Sequence, residues 1–184
     1  QKRNQSCRGI WSDGHKVYIN MDEFGLMQYV MTTGHATPIF RNGLWGHFGL
    51  MHENNFLYSG FQGGIIRYDL QNAKITKWEF PRSSLSFYRL PDHMLLCGTQ
   101  DYGLLLFDEN QGVTKEFQQY NEFTQLATSE IDFIGADRKG NIWICSSTGF
   151  YAYSPANGIT AQYNKNGKGE FFLPAEYFRH FQAD

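Results

Sequence analysis

The chain reads as an all-β protein, a β-propeller of four-stranded antiparallel blades, about four blades plus the first strand of another. Three observations carry this expectation. Aromatics make up 17% of the 184 residues and glycines number 19, a balance that favours strands and tight turns over helices. A glycine-led aromatic phrase recurs four times. An acidic turn recurs in phase with it, and such a period sets an architecture before any single motif does.

The glycine phrase is "GLMQY" at 25–29, "GIIRY" at 64–68, "GLLLF" at 103–107 and "GFYAY" at 149–153. Gly25, Gly64, Gly103 and Gly149 are spaced by 39, 39 and 46 residues, and Tyr29, Tyr68, Phe107 and Tyr153 keep the register. The turns "SDGHK", "HENN", "LPDH" and "DRKGN" hold Asp13, Glu53, Asp92 and Asp137, at spacings of 40, 39 and 45. Between turn and glycine lie the apolar runs "VYIN", "FLYSG", "MLLCGT" and "IWICSS". Tyr18, Leu57 and Leu96 fall seven residues before their glycine, and Trp143 six before.

Each unit therefore reads as four strands, A to D. Strand A ends at the acidic turn, as in "IDFIGA". Strand B is the apolar run, strand C follows the glycine, and strand D is "TKWEF", "TKEF" or "TAQYN". The A–B and C–D links carry Asp, Asn and Gly, which tolerate the positive φ of tight hairpins. Sheets stacked on both faces account for the near-continuous apolar runs. The units are expected at about 7–43, 44–84, 85–130 and 131–169, with 170–184 starting a further blade.

Composition narrows the function. Charged residues are 18% against 41% hydrophobic, and the net charge is -2, with no lysine or arginine cluster to track a phosphate backbone; nucleic acid is not an expected partner. No apolar run reaches the roughly 18–20 residues that span a bilayer, so no membrane contact is expected of this segment. Cys7, Cys97 and Cys145 lack metal-ligand spacing and read as small hydrophobes in strands. "DENQG" (108–112) alternates oxygen-bearing residues, yet it occupies the C–D turn and lacks the later carboxylate of a calcium loop. The six histidines show no ligand pairing. No Gly-x-Ser-x-Gly phrase marks a nucleophile. The chain is expected to hold no cofactor or metal and no catalytic residue.

The fourth unit, "DRKGNIWICSSTGFYAYSPANGITAQYN", resembles the two-component regulator propeller repeat: acidic turn, Gly-Asn, apolar-Trp, a small pair, glycine, aromatic strand, turn. Cys145 stands where that repeat has a small glycine. The tail "YNKNGKGEFFLPAEYFRHFQAD" is similar to the segment leading into the last blade of such propellers, and Asp184 falls 47 residues after Asp137, where a further A–B turn would begin. The resemblance implies a fragment of the periplasmic sensor region of a hybrid two-component regulator of the Bacteroides type. Such regions carry propellers, a β-sandwich, a membrane helix and kinase modules, and commonly respond to oligosaccharides.

In a four-strand blade the B–C and D–A loops share one end, where propellers usually take ligands. The B–C loops "MDEF", "FQG", "QDY" and "ST" supply Phe24, Phe61, Gln62, Asp101 and Tyr102. The D–A loops "RNGLWGH" and "PRSS" supply Trp45, His47 and Arg82. Aromatic rings beside polar donors suit sugars, whose C–H faces stack while hydroxyls take hydrogen bonds; Trp45 would equally suit packing between blades. The expected partners are an oligosaccharide or other small ligand, and self-association through the propeller or its parent. Two other classes stay open: a carbohydrate-active lyase or glycosidase, needing convergent carboxylates, and a purely protein-binding or dimerising propeller.

Overall fold

The computed structural model describes residues 7–21, 24–41, 49–116 and 130–174. These residues form antiparallel sheets joined in sequence order. The first blade is β1 (Cys7–Ser12), β2 (Lys16–Met21), β3 (Gly25–Val30) and β4 (His35–Phe40). The second is β5 (Leu50–Glu53), β6 (Phe56–Asp69) and the start of β7 (Ile75–Arg89). The end of β7, β8 (Leu95–Thr99), β9 (Leu104–Asp108) and β10 (Gly112–Glu116) make the third. The fourth is β11 (Ile131–Ala136), β12 (Ile142–Ser146), β13 (Gly149–Ser154) and β14 (Gly158–Tyr163), followed by a 3-10 turn over Gly169–Phe171.

The 14 residues of β6 would span roughly 45 Å if extended. Its two ends instead meet: Leu70 N donates to Asn55 O at 3.0 Å, and Asn55 Nδ2 donates to Asp69 Oδ1 at 2.7 Å. It is therefore a B–C hairpin folded at Gln62 and Gly63, which restores four strands to the second blade. The repeat glycine lies at positive φ in all four units (75° at Gly25, 145° at Gly64, 63° at Gly103, 150° at Gly149), the region that favours a residue without Cβ.

Two compact units divide the chain, Gln1–Leu85 and Ser86–Asp184. In the first, Tyr18 and Leu26 of the first blade pack with Leu57, Phe61, Ile66 and Tyr68 of the second. Trp11 stacks on His52 with ring centroids 3.9 Å apart. Buried Asn20 donates to Ser59 Oγ at 2.7 Å and to Gly49 O at 3.2 Å, so the polar pair inside this contact is satisfied.

The second unit repeats the arrangement. Leu96 and Leu104 of the third blade meet Ile134, Ile142, Ile144, Tyr151, Tyr153 and Ile159 of the fourth. Ser86 Oγ donates to Ile131 O at 3.0 Å across the same contact. On the opposite face of the fourth blade, Trp143 stacks on Phe150 at 5.0 Å and 2°, Tyr163 leans on both rings, and Phe171 follows at 5.4 Å.

One detail departs from the expected phase. Tyr18, Leu96 and Trp143 all lie three residues before the end of strand B, and Leu57 was expected as their counterpart. Leu57 instead faces back towards the first blade, in the cluster with Tyr18. Tyr58, six residues before Gly64 and 2% exposed, holds the equivalent position, because the second B–C turn is as short as the fourth.

Candidate functional site

Hydrogen bonds bring the B–C and D–A links to one end of their blades. In the first unit Gln62 pairs with Ser83. In the second, Ser147 N donates to Glu130 O at 3.0 Å, and Glu130 N returns a bond to Ser147 Oγ at 3.3 Å.

Of the expected site residues in the first unit, Phe24 stands at the turn before β3, 41% exposed, and Gln62 is exposed at the β6 tip. Arg82 is half-buried on β7, where its Nη1 donates to Pro81 O at 2.7 Å. Phe61 belongs to the core and not to the loop: it is 6% exposed and meets Phe40 edge-on at 5.4 Å. The short β6 turn causes this, since strand alternation carries the ring inward. Trp45 and His47 lie outside the described residues.

In the second unit Asp101 and Tyr102 are exposed on the third blade's B–C loop, Tyr102 at 41%. A buried hydroxyl shapes that loop: Thr99 Oγ1 donates to Gly103 O at 2.9 Å and accepts from Tyr102 N at 3.0 Å. The fourth blade repeats the device with Ser146, whose Oγ donates to Gly149 O at 3.0 Å and accepts from Thr148 N at 3.1 Å. Behind it, Thr148 Oγ1 and the Tyr151 hydroxyl share a 2.7 Å hydrogen bond, and Gln162 Nε2 donates to the Tyr151 hydroxyl at 2.8 Å. Sequence reasoning passed over this cluster because its loop is so short; a hydroxyl four or three residues ahead of the repeat glycine was the available signal.

Several titratable groups are tied into turns or buried in strands. Asp108 Oδ1 accepts from Asn110 N and Gln111 N at 2.8 and 2.9 Å, so "DENQG" is held as a hairpin turn. At the fourth A–B turn, hydrogen bonds from the side chains of Asn141 and Trp143 hold the Asp137 carboxyl at about 2. Burial, then the nearby Asp132 charge, pushes the Cys145 thiol up to about 12. Burial likewise pushes Cys97 far up, and neither thiol suits nucleophilic attack. Among the described residues no three His, Cys, Asp or Glu side chains gather to hold a metal, and no helix is long and apolar enough to cross a membrane.

No protein-family model and no curated protein matches this chain. Solved structures do. Two are described as extracellular domains of hybrid two-component systems of B. thetaiotaomicron: one superposes with a TM-score of 0.68 at 16% identity, covering 96% of this chain and 24% of its own. The other does so at 0.70 and 17%, covering 95% and 24%. A third is PorZ, a surface component of the type-IX secretion system of Porphyromonas gingivalis, at 0.62 and 10% identity, covering 88% of this chain and 28% of PorZ. The chain thus spans about a quarter of the length of the extracellular domains it matches. Its fold is theirs, an all-β array of antiparallel propeller blades.

Proposed function

We propose that this chain is part of the periplasmic, non-catalytic sensing region of a hybrid two-component signalling protein, and that it responds to an oligosaccharide. The carrying observation is the superposition of nearly the whole chain on extracellular domains of hybrid two-component systems. The repeat phrase of the fourth unit points the same way. The exposed loops supply the chemistry: Tyr102 adjoins Asp101 in one unit, and in the other Phe24 offers an apolar ring and Gln62 a hydrogen-bonding amide. A sugar pyranose presents both kinds of surface. Binding passes a signal only where the ligand favours one conformational or associated state over another.

Calorimetry of the complete extracytoplasmic region against an oligosaccharide library tests this reading. Saturable binding is expected, weakened about tenfold, or 1.4 kcal/mol, by Tyr102→Ala, with the melting temperature unchanged because the ring is exposed. Absence of binding across the library would remove the oligosaccharide. Binding indifferent to Tyr102→Ala and Phe24→Ala would move the site off these loops.

A further inference from the structure

Beyond β14 the chain closes into a tight clip over residues 164–173, and its hydrogen bonds converge on Asn164. Asn164 N donates to Phe171 O at 3.2 Å, while Asn164 O accepts from Gly167 N at 3.1 Å and from Leu173 N at 2.9 Å. Its Oδ1 accepts from Asn166 N at 2.9 Å. The 3-10 turn Gly169–Phe171 lies between these ties. A Cβ on Gly167 would lie 2.0 Å from Phe171 O, so the closure admits no side chain there. Compact loops whose ends meet in this way commonly carry function.

The clip displays rings that the blade does not need. Phe171 leans on Tyr163, with centroids 5.4 Å apart, and so braces the clip against the strand. Phe172, the next residue, is 51% exposed and forgoes the stabilisation that burial would give it. Joining two blades does not require a link of this kind, since β7 passes from the second blade into the third as one continuous strand. A rigidly tied loop that holds an aromatic ring in solvent fits recognition, because little ordering is left to be done on binding.

The clip also adjoins the fourth blade's B–C tip. Tyr163 pairs with Phe150 next to that tip, and Gln162 Nε2 donates to Thr148 O at 3.3 Å. A Cβ on Gly149 would come within 3.4 Å of Asn164 Cβ. Tip and clip are therefore neighbours at the loop end of the blade, and the clip adds exposed Asn166, Lys168 and Glu170. We propose that the clip is a saccharide subsite: a pyranose lays its C–H face on the Phe172 ring, and its hydroxyls meet the polar side chains of the same loop. Phe171 is the positioning residue, since it fixes the clip on Tyr163. This inference rests on the oligosaccharide reading and gives the fourth blade a contact where its short B–C loop offered none.

Variants at 172 test it, by calorimetry of the complete extracytoplasmic region against the same oligosaccharide library. For a member that binds, Phe172→Ala is expected to weaken binding at least about tenfold. Phe172→Leu should lose nearly as much and Phe172→Trp no more than about twofold, because stacking needs a flat aromatic face. All three should keep the native melting temperature, since the ring is exposed. Native affinity in Phe172→Ala, or in Phe172→Leu, would overturn the subsite and leave the oligosaccharide reading standing. A loss in Phe172→Trp as large as in Phe172→Ala would overturn ring stacking. Absence of binding across the library would overturn the reading and the subsite together.

Discussion

Asp137 receives the N–H groups of Lys139 and Asn141, the Asn141 amide and the Trp143 indole, all within 3.1 Å. Because its folded value of about 2 lies below the ordinary 3.8, folding favours the ionised form. That contribution is present above about pH 4 and is lost as pH falls towards 2. Melting temperature measured from pH 6 to 2 should therefore fall less steeply in Asp137→Asn than in the native protein, which starts higher; parallel curves would disprove the linkage. Asp13 and Asp69 are lowered for a similar reason, chiefly by backbone N–H groups. The turn carboxylates Asp13 and Asp137 were readable in the sequence because each acts on residues only two to six positions away, whereas Asp69 also takes the amide of Asn55, 14 positions back. Phe61 was not, because its burial depends on which way a neighbouring turn rotates it. Thiols give a second prediction. Cys7 is exposed while Cys97 and Cys145 are buried, so a thiol reagent should modify one cysteine rapidly and the other two only on unfolding; three rapid thiols would contradict this packing.

Among the strands, the closest approaches distinguish positions that look alike in sequence. A Cβ on Gly60 would lie 1.9 Å from the backbone carbonyl oxygen of Ser84, whereas one on Gly98 would meet side-chain atoms of Ser86 and Ile131 at 2.3 and 2.5 Å. Side chains can turn aside more readily than a strand. Gly60→Ala should accordingly cost about 3 kcal/mol by urea unfolding and Gly98→Ala clearly less, both as overpacking; the reverse order would refute the assignment of these contacts. Leu96, fully buried between the third and fourth blades, should lose about 2–5 kcal/mol on truncation to Ala. The displacement of Leu57 by Tyr58 has an equally local origin. Counting back from the repeat glycine assumes a constant B–C turn, and one residue less sends every side chain of the strand to the opposite face. The count of six at Trp143 already carried that information, but the second unit's apolar run, "FLYSG", offers a bulky residue in either phase.

At the scale of the molecule, the four-strand blades followed from periodicity alone, since spacing, turn chemistry and apolar runs agreed in phase. The ligand did not follow, because recognition rests on loop side chains that the repeat does not constrain. The expected aromatic Trp45 falls in a stretch outside the described residues, and the remaining candidates divide between two units. The hydroxyls of Thr99 and Ser146 bear on this difference. Each fastens the turn from inside, through its own Oγ to the carbonyl of the repeat glycine and from the turn's last N–H. In the third blade the strands below are thus held independently of what the tip displays, whereas in the fourth the tip's Thr148 also bonds Tyr151 of the strand that follows. Residues 100–102 could then be exchanged for foreign sequence of equal length with the melting temperature held within about 2 °C, while Thr99→Val should make the same exchange unfold the blade. A hydroxyl placed there makes the tip a replaceable fitting: selection can rewrite what the blade touches without renegotiating how it folds.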